Sequence, residues 1–378
     1  MLFRSCFNAI DKIGRCLSSL RTIDMIQDDY EVLFIDDFST DGTFILLQKE
    51  CLTKKNWYVE QLEINSGSPS RPRNRGMHIA KGEYVFFLDC DDEIFSDTIR
   101  LHYNHAIKTS ADVVRGYLIV NDGNSINNMN QLKDWHNNLD RKNRISMIIS
   151  QQSTVVPSLI RLSLIRDNNI LWPEDIRMGE DSVFLASVLS KAKRIEYIDH
   201  QTFIYNKQPA FTASTTQSYG AKELRDHLNV WRKVHNILLR EDLNYIELRL
   251  RVGLQTALLM LIFRNRHDID EILFSQFSDF ICEHFDIVAT FNYSDRLKGI
   301  IFSIHSRNYL IFKQLCRPRL LIAGYDLKFI SLAIPILEKY FDIRLDTWTG
   351  HDSHDEKKSR ELLDWAELIW CEWLLGNA

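Results

Sequence analysis

The stretch Lys81–Ile94, KGEYVFFLDCDDEI, constrains this chain more than any other. Lys81-Gly82 reads as a turn, Glu83 to Leu88 as a strand, and acid follows at once. Tyr84, Val85, Phe86, Phe87 and Leu88 are apolar or aromatic without a break. An unbroken run of that length suits a strand buried on both faces of a parallel sheet, not one with a wet side. Asp89, Asp91 and Asp92 then stand at the carboxyl end of the strand, where open α/β sheets bind their ligands. Asp89 and Asp91 bring two hard oxygen ligands together, a pairing suited to Mg2+ or Mn2+ bridged to phosphate. A lone D-x-D is more often a solvated acidic turn, so the reading depends on its context.

Strands and helices alternate around this stretch. Residues 8–27 carry Ile10, Ile13, Cys16, Leu17 and Leu20 at helical spacing, with Asn8 as a cap. Glu31–Ile35 is expected as a strand, followed by the acidic turn Asp36 to Thr43 and a helix over 43–52. In that turn Asp36 and Asp41 suit turn and cap positions. Tyr58–Ile64 is a strand, Asn65–Pro72 a loop and Asn74–Ala80 a short helix. A helix (97–108), a strand (112–120), a polar loop (121–130), helices over 140–151 and 158–168, and a break at Leu171-Trp172-Pro173-Glu174 come next. Gly179-Glu180-Asp181 opens a helix to about Lys191; short strands at 195–198 and 203–205 and a loop over 206–216 follow. Such alternation with short connections predicts an α/β fold with a Rossmann-like, mostly parallel sheet.

Beyond residue 217 the pattern changes. Residues 218–316 repeat leucine, isoleucine and phenylalanine at helical spacing among charges, which predicts a helical region. After Arg317-Pro318, a strand at 320–323, a helix at 328–340, a strand at 343–348, a helix at 356–363 and a strand at 367–370 begin a second, partial α/β segment. The expected domains are therefore 1–217, 218–316 and 317–378. The net charge of −5 gives no basic field for nucleic acid. Seven scattered cysteines with no CxxC pair fit free thiols in a reducing compartment. The longest apolar run, Ala257–Phe263, is far short of a membrane span. A cytoplasmic protein is the expectation; attachment to the inner membrane face and self-association through the helical region are compatible with it. There is no HExxH and no GxxxxGK phosphate loop.

Five motifs, in order, resemble those of the family 2 glycosyltransferases, which have the GT-A fold. Phe7-Asn8-Ala9 with Cys16 to Leu20 is similar to the family's opening helix; Val32 to Thr43, VLFIDDFSTDGT, is similar to its first acidic turn. Arg73-Asn74-Arg75-Gly76 with Ala80 to Tyr84, then FLDCDD at Phe87 to Asp92, then Gly179-Glu180-Asp181 with Phe184, resemble the other three. The loop NSGSPSRPRN also resembles that of bacterial enzymes that glycosylate teichoic acids and other surface polymers. One departure stands at the start: the family opens on a hydrophobic strand ending in proline, and here Met1 to Cys6 is MLFRSC. The last sixty or so residues, through LLIAGYDLKFI and WAELIWCEWLLGNA, resemble the start of a GT-B domain.

The resemblance implies an inverting, metal-dependent transfer of a sugar from a nucleotide-sugar donor, of the UDP type, to a hydroxyl of a glycan or polyol-phosphate polymer. It implies that Asp91 holds Mn2+ or Mg2+, with Asp89 beside it on the metal or the ribose. Asp92 is either a neighbour of that site or a helix cap. Asp37 is expected on the uracil or ribose, with Arg73 and Asn74 on the donor side; the alternative for Arg73 is a solvated loop arginine. Asp181 is the candidate general base, unless it and Glu180 only favour a helix N-terminus. Glu180 and Trp172 are acceptor-side candidates, Trp172 either against a sugar face or in the core. Two other classes compete: a catalytically inactive GT-A domain acting as a binding module, and a nucleotidyltransferase, whose glycine-rich N-terminal loop is missing from Met1–Gly14.

Overall fold

A computed structural model describes residues 2–136, 138–151, 156–206, 219–264, 269–324, 334–338, 341–347, 366 and 368–371. The chain forms two compact units, Met1–Gln217 with Asp226–Leu250, and Ser218–Arg225 with Arg251–Ala378.

The first unit is built on one mixed sheet. Its strands are β1 (Leu2–Cys6), β2 (Val32–Asp36), β3 (Trp57–Gln61), β4 (Tyr84–Phe87), β5 (Glu93–Ile94), β6 (Val113–Asn121), β7 (Ile126–Met129), β8 (Ser158–Arg161) and β9 (Ile195–Asn206). They lie in the order β3-β2-β1-β4-β8-β6-β9-β5, with β7 beside β6. The β3-β2-β1-β4 half is parallel throughout. β2 and β4 are buried at every position, as strands covered on both faces must be. The atypical opening Leu2–Cys6 still forms a central strand, in register with both β2 and β4, because its neighbours leave two edges that only a strand can satisfy.

The helices of this unit are α1 (Ile13–Leu20), α2 (Thr43–Leu52), α3 (Ser70–Ile79), α4 (Thr98–Thr109), α5 (Arg141–Gln151), α6 (Leu162–Asp167) and α7 (Glu180–Lys191). α8 (Ala221–Leu239) has its residues divided between the two units. The helix expected over 8–27 is shorter, and Asn8 does not cap it. At φ 44°, Asn8 instead accepts from Thr40 N at 2.9 Å and donates its own N–H to Ser39 Oγ at 2.9 Å, pinning the first acidic turn. α3 begins four residues earlier than expected. Pro72 falls in its first turn, where a missing N–H costs nothing.

Three further expectations are corrected. Residues 158–161 are strand, not helix, running antiparallel to both β4 and β6. The leucine and isoleucine spacing there is helical, but two open strand edges outweigh a weak local preference. Residues 126–129, expected as loop, pair with β6 as a hairpin strand. The two short strands at 195–198 and 203–205 are one continuous β9, irregular opposite Arg115 to Ile119. Gly116 permits that irregularity: a Cβ there would stand 2.7 Å from His200 O. The expected loop 206–216 and helix 356–363 lie outside the described residues, except for Asn206.

The second unit holds α9 (Arg251–Arg264), α10 (Glu271–Glu283), α11 (Phe285–Val288), α12 (Asp295–His305) and α13 (Tyr309–Leu315). Asp270 caps α10 through Leu273 N, and Asn308 caps α13 through Ile311 N. Phe274 meets Phe312 at 5.0 Å between ring centroids. A separate parallel sheet follows, with β10 (Arg319–Gly324) between β11 (Asp342–Thr347) and β12 (Leu368–Cys371), and α14 (Ile334–Leu337) between the first two in sequence. No helix among the described residues is long and apolar enough to cross a membrane.

Candidate active site

The acidic groups gather beyond the carboxyl ends of β2 and β4. At the end of β2, Asp36 is fully buried and accepts from Ser39 N, Ser39 Oγ and Gln61 Nε2. That grip holds Phe38 at φ 63°, a conformation an aromatic residue rarely adopts. The turn thereby presents Asp37, whose carboxylate accepts from Ser66 N at 2.9 Å and Ser66 Oγ at 2.9 Å. Burial raises the Asp37 pKa above the usual carboxylate range against those hydrogen bonds. Asp41 accepts from Ile10 N, Thr43 N and Thr43 Oγ1 and so holds the turn, but it is not the helix cap: Gly42 occupies that position at φ 96°.

Asp37 lies in a cleft of about 250 Å3, lined also by Cys6, Phe7, Asn65, Ser68 and Arg177. Phe7 is half exposed, at 49%. An aromatic face beside a buried carboxylate and a serine-rich loop suits a planar base with N–H and O–H donors.

Beyond β4, Asp89 and Asp91 flank Cys90. Cys90 and Cys6 are free thiols joined by a hydrogen bond, and that contact with burial keeps the Cys90 pKa well above the usual thiol range. Asp91 is half-buried, and its pKa is raised by burial first and by the charge of Asp89 next. Asp92 is fully buried and accepts from Asn206 N at 3.1 Å. It is not a helix cap; α4 starts after Asp97. Asn206 donates its amide to Asp91 O and to Glu93 Oε1, so the end of β9 clamps the acidic segment.

Arg73 joins this segment to the start of α7. Its Nη2 donates to Asp89 Oδ1 at 2.9 Å and its Nη1 to Glu180 Oε1 at 3.0 Å. It is buried at 8% exposure, with its guanidinium carbon 4.2 Å from the centre of the Trp172 ring. It is therefore not a solvated loop arginine, and without ligand its fork is committed to two carboxylates. Asp181 is 3% exposed, and its Oδ1 accepts Ser182 N at 2.7 Å. Burial, then the neighbouring Glu180, raise its pKa well above the usual carboxylate range, and Arg73 opposes them. Burial likewise raises the Glu180 pKa, again against Arg73.

Two expected residues do other work. Trp172 is 2% exposed, stacked on Phe184 at 4.0 Å and edge-on to Phe87 at 5.1 Å. It is core and the floor under Arg73, not a platform for a sugar. Asn74 was expected on the donor side; instead its Nδ2 donates to Trp172 O at 2.9 Å and its Oδ1 accepts Trp172 N at 2.8 Å, fixing that backbone. Sequence reasoning missed Ser66, Asn206, Phe7 and Arg177. Ser66 and Phe7 stood in stretches already singled out, but only folding shows which way they face.

The family model described as "Glycosyl transferase family 2" matches residues 5–162. Poly(ribitol-phosphate) beta-glucosyltransferase of Bacillus spizizenii is 32% identical over 200 residues, 53% of this chain and 31% of its own length. Poly(ribitol-phosphate) beta-N-acetylglucosaminyltransferase TarP of Staphylococcus aureus is 31% identical over 190 residues, 50% of this chain and 56% of its own length. The chain thus spans between about a third and just over half of these relatives. The crystal structure of S. aureus TarS 1-349 in complex with UDP-GlcNAc superposes with a TM-score of 0.64 at 22% identity, covering 83% of this chain and 89% of that one. The two share a fold.

Proposed function

From a chain that carries a glycosyl transferase family 2 domain over residues 5–162, we propose an enzyme that moves a sugar from a UDP-sugar donor to a hydroxyl of a poly(ribitol-phosphate)-type polymer, with inversion at the anomeric carbon. One observation carries this reading: Arg73 binds Asp89 and Glu180 at once. The acids suited to a diphosphate and the candidate base Asp181 thereby belong to a single charged network rather than to two unrelated acidic turns. The relatives' names supply the acceptor class and support a glucosyl or N-acetylglucosaminyl donor.

In this reading the nucleoside lies over Asp37 and Phe7, with Asp37 accepting from a base or ribose donor. Asp181 takes the proton of the attacking hydroxyl, and its raised pKa makes it a stronger base than an ordinary carboxylate. Attack from the face opposite the leaving diphosphate inverts the centre, so an α-linked donor gives a β-linked product. Asp91 and Asp89 fit a divalent cation, because two carboxylates crowd one strand end and the second raises the pKa of the first. Such an ion supplies Lewis-acid neutralisation of charge on the diphosphate. Among the described residues no group of three or more potential ligands converges, so phosphate and water oxygens would complete its shell.

The test is transfer itself. The protein is incubated with UDP-glucose or UDP-N-acetylglucosamine, Mg2+ or Mn2+ and poly(ribitol phosphate), and the product is read by mass and by anomeric coupling in NMR. A β-linked adduct is expected. An α-linked product would remove inversion, and no transfer from either donor would favour a binding module.

A further inference from the structure

We propose that Arg177 is the side chain that receives the donor's diphosphate, so that this residue, and not the buried Arg73, sets how much of the donor's affinity comes from its phosphates. The inference rests on the UDP-donor reading above and deepens it.

The charge balance of the cleft carries the argument. Asp37 lines the cleft; Asp89, Asp91, Glu180 and Asp181 act on one another as like charges, and a nucleoside diphosphate adds more. Arg73 pairs with Asp89 and Glu180 and acts on Asp181, while Lys12 and Arg15 act on Asp91; the fork of Arg73 is already divided between its two partners, and a flat Trp172 face lies beneath it. Turning it toward a ligand would strip a buried carboxylate of its partner, which is costly.

Arg177 is placed differently. It lines the same cleft as Asp37 and Phe7 and is exposed. Among the described residues its guanidinium makes no ion pair or hydrogen bond, whereas its backbone is fixed. Its N–H donates to Asp226 Oδ2 at 3.3 Å, and the preceding Ile176 is fully buried. A held backbone with an uncommitted planar fork is what a phosphate needs: geometry is set in advance and little has to be broken. The position lines the cleft that holds Asp37 and is four residues before Asp181 in the chain, just ahead of α7. An arginine that was only solvated would leave nucleotide affinity untouched.

The test compares uridine with UDP, with Mg2+ present throughout. Calorimetry measures UDP, and saturation-transfer NMR measures uridine, on wild type, Arg177→Gln and Arg177→Lys. Losing one charge-assisted, forked contact should weaken UDP about tenfold in Arg177→Gln. Uridine should bind as before, and Arg177→Lys should fall between. Equal weakening of uridine and UDP would overturn the inference, since Arg177 would then read the nucleoside or support the fold. Unchanged UDP affinity would overturn it too; if KM for the polymer rose at the same time, the side chain serves the acceptor's phosphates. If the wild type binds neither uridine nor UDP, the donor reading itself falls, and this inference with it.

Discussion

The guanidinium of Arg73 stands 3.0 Å from the carboxylate of Glu180, 107 residues further along the chain. Its other arm reaches Asp89, so one buried cation holds two acidic motifs in register. The side chains of Arg73 and Glu180 are 9% and 12% exposed. Removing one member of such a pair leaves an uncompensated charge in a dry place, at a cost of about 3–5 kcal/mol. Arg73→Gln should therefore lower both the melting temperature and UDP affinity, and Arg73→Lys should recover only part, because a point charge cannot serve two carboxylates as a fork does. Wild-type melting and binding in Arg73→Gln would show the bridge to be incidental.

Asp181 is expected to act in the chemical step. Asp181→Asn keeps the volume and removes the base. Turnover should fall by about a hundredfold or more while UDP affinity stays within a few-fold. A loss of binding with unchanged kcat at saturation would make Asp181 a positioning residue instead.

The same carboxylate should carry a measurable pH signature. Burial and Glu180 hold its pKa well above the usual range. A group with a raised folded pKa keeps its proton better folded than unfolded. Its contribution to stability is therefore full below the unfolded value, about 3.9, and is lost as pH rises through the folded one. Asp181→Asn escapes that loss. Its melting temperature should exceed that of wild type at about pH 8, with the gap closing toward about pH 4. A constant difference across that range would mean the carboxylate is not strained by burial.

For Asp91, calorimetry of UDP with and without Mn2+ separates a metal ligand from an acidic turn. Wild type should bind UDP more tightly with the ion present. Asp91→Asn should lose that gain and keep its metal-free affinity, since repulsion from Asp89 is relieved. Metal-independent binding in wild type would remove the cation from the reading.

Trp172 offers a test of core against platform. Its indole is buried between Phe184, Phe87 and Arg73. Trp172→Ala should cost roughly 3–5 kcal/mol, as large-to-small core changes do. Trp172→Phe should keep KM for donor and acceptor near wild type. A selective rise in acceptor KM in the phenylalanine variant would restore the sugar-platform role.

Much of this molecule was legible in its sequence. The unbroken apolar runs Val32 to Ile35 and Tyr84 to Phe87 form buried strands, and the acids after each lie at their carboxyl ends. The helix Thr43–Leu52 falls where its turn and apolar pattern put it. These are local facts: burial on two faces demands continuous apolarity, and a ligand-facing turn needs polar residues tolerant of unusual φ. What the tertiary structure alone decided is which groups share a partner. Residues 158–161 have helical spacing yet are strand, since β4 and β6 would otherwise each keep an unpaired edge. Trp172 was a candidate for a sugar face and Asn74 for the donor side; packing turned one into floor and the other into a clamp on its backbone. Arg73, expected on the donor side with a solvated loop arginine as the alternative, is the bridge between two motifs, because only the folded sheet brings Asp89 and Glu180 within reach of one guanidinium. Sequence encodes what each segment must bury; it does not encode which distant charges burial will force together, because that depends on a topology set by all the strands at once.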